Sequence, residues 1–268
     1  MIIAKFSGQL GNELFIYTFL KDTSKKVGET IVIDSQKIKI SEYFYLNNPF
    51  WNIINRIKLF WYYRVLSRFQ SYKIVKDFQN GQHTQIGNAY YLGYFQSNKY
   101  FSENKDEIIR TYRIKKKYRN FFQKNFSLLK KDYIAIHYRC GDYKNFGNEN
   151  LGGQNLVLPD SYFTKSIELL YQNGCPRDIP IIIVTDSPNE LLEKTFASNA
   201  EIISKDEIFD FQVLQHSKYL IISNSSFSWW AASLNRNKIL CIAPKYWLGF
   251  KVEKEFPPGI LNKDWITV

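Results

Sequence analysis

Arg139 lies two residues after His137 and three before Asp142, in the stretch Ile136-His137-Tyr138-Arg139-Cys140-Gly141-Asp142-Tyr143. A guanidinium offers paired donors that fit phosphate oxygens, and it stays protonated at working pH. The stretch follows an apolar run, Tyr133 to Ile136, that reads as a buried strand, and it closes on a glycine turn. An arginine at the carboxyl end of such a strand is well placed to hold a diphosphate. A surface arginine followed by a turn has the same local signature.

A second candidate is Asn224-Ser225-Ser226-Phe227-Ser228, which opens a helix. Backbone N–H groups at a helix amino end are unpaired and carry partial positive charge, and two hydroxyls add donors. An ordinary serine N-cap looks the same. Gly8-Gln9-Leu10-Gly11-Asn12 follows the first strand, and the glycines there let backbone approach a ligand. Thr185-Asp186 follows another strand. His137 taken alone fits a satisfied structural histidine, and Asp210 a solvated helix acid. The chain has no G-K-[ST] phosphate loop, no G-x-G-x-x-G, no nucleophile elbow, and no D-x-D after any expected strand. Its three histidines leave little room for a zinc cage, so no metal site is indicated.

These candidates fall at the carboxyl ends of expected strands, where doubly wound α/β folds bind ligands. Strands are expected at Ile2–Phe6, Thr30–Asp34, Tyr72–Lys76, Ala89–Phe95, Tyr133–Ile136, Ile179–Thr185, Glu201–Ser204, Tyr219–Ser223 and Ile239–Ala243. Helices are expected after Asn12, over Lys105–Arg113 and Tyr118–Leu129, from Pro159 to about Gly174, and over Leu191–Phe196, Ile208–Ser217 and Phe227–Leu234. Ile179–Thr185 is almost continuously apolar, as in a parallel sheet buried on both faces. A boundary near the polar Lys130-Lys131-Asp132 divides the chain into domains 1–130 and 131–268. Tyr43 to Phe69 is dense in aromatics interleaved with Arg and Lys. It reads as a basic amphipathic patch for a membrane surface, or as a helical pair covering the sheet. Aromatic stripes usually pack inward, which favours the second reading.

At 268 residues, one large or two modest domains are expected. A formal net charge of +11 favours acidic partners such as nucleotides, nucleic acid or an anionic membrane. Cys140, Cys175 and Cys241 are odd in number and widely spaced, against a disulfide framework or a zinc site. No signal-like segment precedes the first strand in this sequence, and no run of about 18 apolar residues occurs. A reducing, cytoplasmic location is the expectation, with peripheral contact to the inner membrane face through the aromatic segment.

Taken together, the segments resemble the inverting α-1,2-fucosyltransferases of glycosyltransferase family 11, of bacterial type. That family opens with a Gly-Gly-Leu-Gly-Asn-Gln loop, and here Gly8 to Glu13 is similar. Its central His-x-Arg-Arg-Gly-Asp-Tyr is matched by His137 to Tyr143 except at Cys140. Its Ser-Asn-Ser-Ser-Phe-Ser-Trp-Trp-Ala-Ala run is reproduced from Ser223 to Ala232. Gly93 to Phe101, Leu158-Pro159 with Tyr162-Phe163, and Thr185-Asp186 also resemble family segments. The likeness runs from residue 3 to about 248.

The resemblance implies a GT-B architecture, two Rossmann-like doubly wound domains facing across a cleft, acceptor-side first and donor-side second. It implies GDP-β-L-fucose as co-substrate, the 2-hydroxyl of a galactoside in a surface glycan such as O-antigen as acceptor, and no cofactor or metal. By motif, Arg139 would hold the β-phosphate and His137 the guanine or ribose side. Ser225 and Ser226, with Asn224 and Phe227, would cradle the pyrophosphate, and Asp186 would belong to the donor site. Related fucosyltransferases read guanine with an aspartate fifteen residues before the serine pair, where this chain has Asp210. Gly11 and Asn12 would face the cleft from the first domain. Asp142 is a candidate general base, or else a residue that orients Arg139 or caps the loop; Glu13, at the family's usual glutamine and near the implied fucose site, is another candidate base. Cys140 in place of the second arginine removes one cation near the diphosphate. Three rivals stand beside this reading: a same-fold enzyme of another linkage (α-1,6 or O-fucosyl), a basic nucleic-acid-binding protein, and a catalytically dead remnant.

Overall fold

A computed structural model gives the fold and describes the chain except residues 36–37, 47–50, 67–72, 78–84 and 102. The chain divides into two compact units, Met1–Lys115 with Pro257–Gly259, and Lys116–Phe256 with Ile260–Val268.

The first unit is built on a four-stranded parallel sheet in the order Ile31–Asp34, Ile2–Lys5, Ala89–Leu92, Lys73–Lys76. Tyr72, expected in the last of these, lies outside the described residues. The helix Leu10–Val27 buries Leu14, Phe15, Phe19 and Leu20, the row expected from their spacing. Phe19 stacks on Phe95 with ring centroids 4.0 Å apart. The helix stops at Gly28, whose left-handed φ of 72° closes its last turn.

The aromatic segment forms a helix over Trp51–Trp61, continued by a π-helical turn at Tyr62–Leu66. Its buried anchor is polar. The Asn55 amide donates to the Ile33 carbonyl at 2.8 Å and accepts from the Ile33 N–H at 2.7 Å, closing the edge strand. Tyr62 packs on Ile3 and Val32. Tyr63 and Tyr90 both donate to Asp34, at 2.5 Å each. The covering role is therefore observed, with Leu59 and Tyr62 packed inward, but a second apolar row is not. With Asn55 turned to the sheet, Ile53 and Ile57 point away from it, and Ile53, Ile57, Phe60 and Trp61 are each more than half exposed.

The second unit carries a six-stranded parallel sheet in the order Ala200–Ile203, Ile181–Thr185, Ile134–Tyr138, Tyr219–Ile221, Leu240–Ala243, Ile266–Thr267. Ile134–Tyr138 pairs on both sides and is buried at every residue, as an apolar run with no alternation requires. Helices Asp160–Gln172, Glu207–His216 and Ser226–Leu234 complete the layers. The helix Lys116–Asn125 also belongs here, with Phe122 edge-on to Phe209 at 5.1 Å. The division thus falls ahead of that helix rather than after it, near residue 130. The helix expected over Leu191–Phe196 is instead two 3-10 turns, Pro188–Leu191 and Thr195–Ala197. Leu192 points to solvent there, so the segment lacks a continuous buried face. The edge strand Ile266–Thr267 is too short to register as a sequence pattern. Among the described residues no helix is long and apolar enough to cross a membrane.

Candidate active site

Parallel strands deliver their carboxyl ends to one side of a sheet, and in the second unit those ends carry the candidate residues. Arg139 follows Ile134–Tyr138, Asp186 follows Ile181–Thr185, and Ser223 to Ser226 follow Tyr219–Ile221. Asp210 sits in the first turn of Glu207–His216, the helix that follows Ala200–Ile203.

Arg139 is held between two carboxylates. Its Nη2 donates to Asp142 at 2.7 Å, and its Nη1 pairs with Asp186 at 2.8 Å. Its Nε is buried and makes no hydrogen bond. The other Asp186 oxygen accepts from the Cys140 N–H at 3.1 Å, and Ser187 Oγ accepts from the Gly141 N–H at 3.1 Å. Gly141 is needed for this approach, since a Cβ there would lie 2.7 Å from Asp186 Oδ2. The Cys140 side chain turns the other way, into the core beside Tyr138, and burial pushes its thiol up. Position 140 therefore offers the site a backbone N–H, and the cation of this motif is Arg139.

Tyr143 ties the arginine loop to the serine loop. Its ring lies 5.5 Å under the Arg139 guanidinium, and its hydroxyl donates to the Asn224 carbonyl at 2.9 Å. Burial pushes that phenol well above its usual range. Asn224 is buried; its amide donates to the Leu156 carbonyl at 3.0 Å, while its Oδ1 makes no hydrogen bond. Ser225 is the N-cap of Ser226–Leu234 in extended conformation, and its hydroxyl does not cap that helix. The Ser228 hydroxyl, inside the helix, donates to the Ser223 and Ser225 carbonyls and fixes the turn.

His137 is buried beneath this turn. Its Nδ1 shares a 2.6 Å hydrogen bond with Ser223 Oγ, and its ring lies 5.5 Å from that of Phe227. Burial, reinforced by the Arg139 charge and opposed by Asp186, pushes the imidazole down to about 3, so it is neutral at working pH. Phe227 in turn meets Phe211 edge-on at 5.4 Å, and Phe211 adjoins Asp210. Both Asp210 oxygens accept from the Lys205 N–H, at 3.1 and 3.2 Å. Burial pushes this carboxyl up to about 6; the Lys205 N–H opposes that and Asp206 adds to it. A carboxylate has about four acceptor positions, so two or more are left for a ligand.

The remaining candidates lie in the first unit. Gly11 is buried within Leu10–Val27. Asn12 Oδ1 accepts from Gln96 at 2.7 Å. Gly8 takes a left-handed φ of 82°, and a Cβ there would lie 2.1 Å from Asn12 Nδ2. Glu13 is buried and accepts from the Ile40 N–H at 2.8 Å, anchoring the start of the short helix Lys39–Tyr43.

The structure thus brings His137, Arg139, Asp142, Asp186, Asn224, Ser225 and Phe227 together, with Asp210 reached through Phe211. Tyr143, Ser187 and Ser223 were given no role from sequence. Tyr143 and Ser223 sit inside the quoted motifs, which was the available signal; Ser187 carried none beyond following Asp186. What the cluster offers is one guanidinium, a helix amino end and a buried acceptor. That set suits an anionic ligand with a polar, donor-bearing ring.

Residues 5–268 match the model of glycosyl transferase family 11. The O-antigen biosynthesis glycosyltransferase WbnK of Escherichia coli is 28% identical over 64% of this chain, a match spanning 59% of that protein's own length. The alpha-1,2-colitosyltransferase of the same species is 21% identical over 100% of this chain and 99% of its own. Among solved structures, the alpha-1,6-fucosyltransferase NodZ of Bradyrhizobium, soaked with GDP-fucose, is similar with a TM-score of 0.53. That likeness has 14% identity, covers 87% of this chain and 91% of the other, and shows the GT-B fold. With the family model spanning nearly the whole sequence and the cluster built on its motifs, this chain belongs to glycosyl transferase family 11.

Proposed function

We propose that the protein transfers L-fucose from GDP-β-L-fucose to the 2-hydroxyl of a galactoside, with inversion and without a metal. The observation that carries this reading is Arg139 at the end of the central strand. Its buried Nε lacks a partner, and Tyr143 links its loop to the serine loop that opens the next helix. Negative charge grows on the departing GDP as the anomeric carbon becomes oxocarbenium-like. Arg139 and the N–H groups from Ser226 onward would stabilise it, on the order of 3–4 kcal/mol for a well-placed donor. Ser225 supplies a hydroxyl, and Phe227 and His137 shape the floor. Asp210 accepts from guanine N1–H and its exocyclic amine. Asp142 is released from Arg139 when the diphosphate takes the guanidinium, and is then a free carboxylate for the acceptor hydroxyl. The first unit, with Gly11 and Asn12, is assigned to the acceptor.

The relatives support a surface-glycan acceptor, such as an O-antigen repeat. One of them bears on the donor: colitose is fucose without its 3-hydroxyl, so the GDP sugar of a 3,6-dideoxyhexose is the second reading. The deciding experiment incubates the protein with GDP-fucose and GDP-colitose in parallel, against a panel of β-galactosides, with NMR analysis of the product linkage. Transfer of fucose to O2 of galactose is expected. Transfer of colitose alone, or a linkage to another hydroxyl, overturns the assignment.

A further inference from the structure

Outside the cluster, the feature with least reason to exist in a water-soluble surface is the outer face of the helix Trp51–Trp61. Ile53, Ile57, Phe60 and Trp61 recur at the spacing of one helical face, and each is more than half exposed. Tyr63 follows them, also more than half exposed at its ring. Isolated exposed apolar residues are ordinary, but a contiguous row is not. The row is also held in place. Asn55 pairs with both backbone groups of Ile33, Tyr62 packs on Ile3 and Val32, and Asp34 accepts from Tyr63 and Tyr90. The inward face of this segment carries Asn55, Leu59 and Tyr62, and a second apolar row is left facing outward, more than an ordinary surface helix exposes.

We propose that this face docks on an anionic lipid bilayer, lying in the plane of the interface. Charge decides the occupant. Residues 51–66 hold Arg56, Lys58 and Arg64 and no acid. Arg56 and Arg64 are exposed, with Arg64 5.7 Å over the Phe60 ring. A second copy of the chain would bring the same cations against one another, and each chain carries a formal +11. Anionic headgroups carry the complementary charge, and Trp, Tyr and Phe are the side chains that settle at the level of the headgroups. Apolar burial and headgroup attraction then act together, as in interfacial helices. The inference does not use the donor assignment and stands or falls separately from it.

The test is co-sedimentation of the full chain with phosphatidylcholine vesicles and with vesicles containing phosphatidylglycerol, at low and high salt. Binding to the anionic vesicles is expected, weakening with salt. The variant Ile57→Ser/Phe60→Ser/Trp61→Ser should lose about tenfold or more in partition. Arg56→Glu/Arg64→Glu should lose the preference for phosphatidylglycerol. Thermal unfolding of both variants checks that they are folded, since all five side chains are exposed. No binding to anionic vesicles overturns the proposal, as does equal binding by the triple variant. A dimer seen by light scattering and abolished by that variant also overturns it, in favour of contact between copies.

Discussion

Asp210→Asn separates the guanine-reading role from a structural one, because the two predict opposite signs for stability. Burial holds the Asp210 carboxyl at about 6, above the ordinary carboxylate range near 4. Its folded form therefore binds a proton more tightly than its unfolded form. Stability is unaffected below about pH 4, falls as pH rises toward 6, and above that carries a constant cost of roughly 3 kcal/mol. Asparagine removes the charge and keeps one oxygen for the Lys205 N–H, but its amide nitrogen replaces the other acceptor. A net gain of roughly 1–2 kcal/mol is expected at pH 7, a rise in Tm of about 2–6 °C. Affinity for GDP moves the other way. Losing the charge on two acceptors, at about 1.5–3 kcal/mol each, raises Kd on the order of a hundredfold or more. In the unaltered protein, GDP affinity should fall more steeply below pH 6 than in the variant, where only the terminal phosphate, with a pKa of about 6, still titrates. Calorimetry at pH 5 to 8, with inosine diphosphate as the analogue lacking the exocyclic amine, reads both. A variant that binds GDP within about twofold of the parent, or that melts several degrees lower, refutes the reasoning.

Arg139→Lys should cut kcat/KM for the sugar nucleotide by about a hundredfold or more, because a point charge does not replace a fork; steady-state kinetics checks this. Gly141→Ala puts a Cβ 2.7 Å from Asp186 Oδ2, so Asp186 must leave Arg139. A fall in kcat of about tenfold is expected, with a Tm lowered by a few degrees because the Cys140 N–H loses its Asp186 acceptor, measured by turnover and calorimetric scan. On the proposed reading, exhaustive treatment with EDTA should leave turnover unaltered, with Arg139 and the helix amino end supplying the charge that a metal ion would otherwise bring. Gly8→Ala, at a φ of 82° and 2.1 Å from Asn12 Nδ2, should lower the stability of the first unit by about 1–3 kcal/mol, read from urea unfolding.

The second unit was far more legible in the sequence than the first. Ile179–Thr185 and Tyr133–Ile136 are apolar because parallel strands are covered on both faces, whereas a strand with one wet face would alternate. The serine run and the arginine turn were legible through their likeness to the family's motifs, since by local chemistry alone they matched an ordinary N-cap and a surface arginine. Tertiary pairing was not visible. Nothing in sequence says that Asp142 and Asp186, far apart in the chain, meet on one guanidinium, or that the Cys140 side chain turns to the core. Trp51–Trp61 misled for a physical reason: aromatics usually seek the interior, but here Asn55 satisfied the open edge of Ile33 and so took the inward face. Glu13 carries no sequence signal for the hydrogen bond it accepts from the Ile40 N–H.

The two carboxylates on Arg139 are not equivalent, and the difference gives the site a direction. A guanidinium between two carboxylates leaves a net charge of −1, which repels an arriving diphosphate until one carboxylate moves. Asp186 is 27% exposed, and its second oxygen holds the Cys140 N–H, so releasing it would strand a backbone donor. Asp142 is 69% exposed, and its ion pair lies in the range where such pairs contribute about 0–1 kcal/mol. A bidentate phosphate contact would outweigh that, so on the proposed reading Asp142 is the carboxylate to be displaced and Asp186 the one to keep the guanidinium oriented. Displacement would then leave Asp142 beside the bound diphosphate, available to the acceptor hydroxyl only after the donor has arrived. On that reading the same ordering would give Asp142 both of its expected roles, as the observed partner of Arg139 and as a base once the donor is bound.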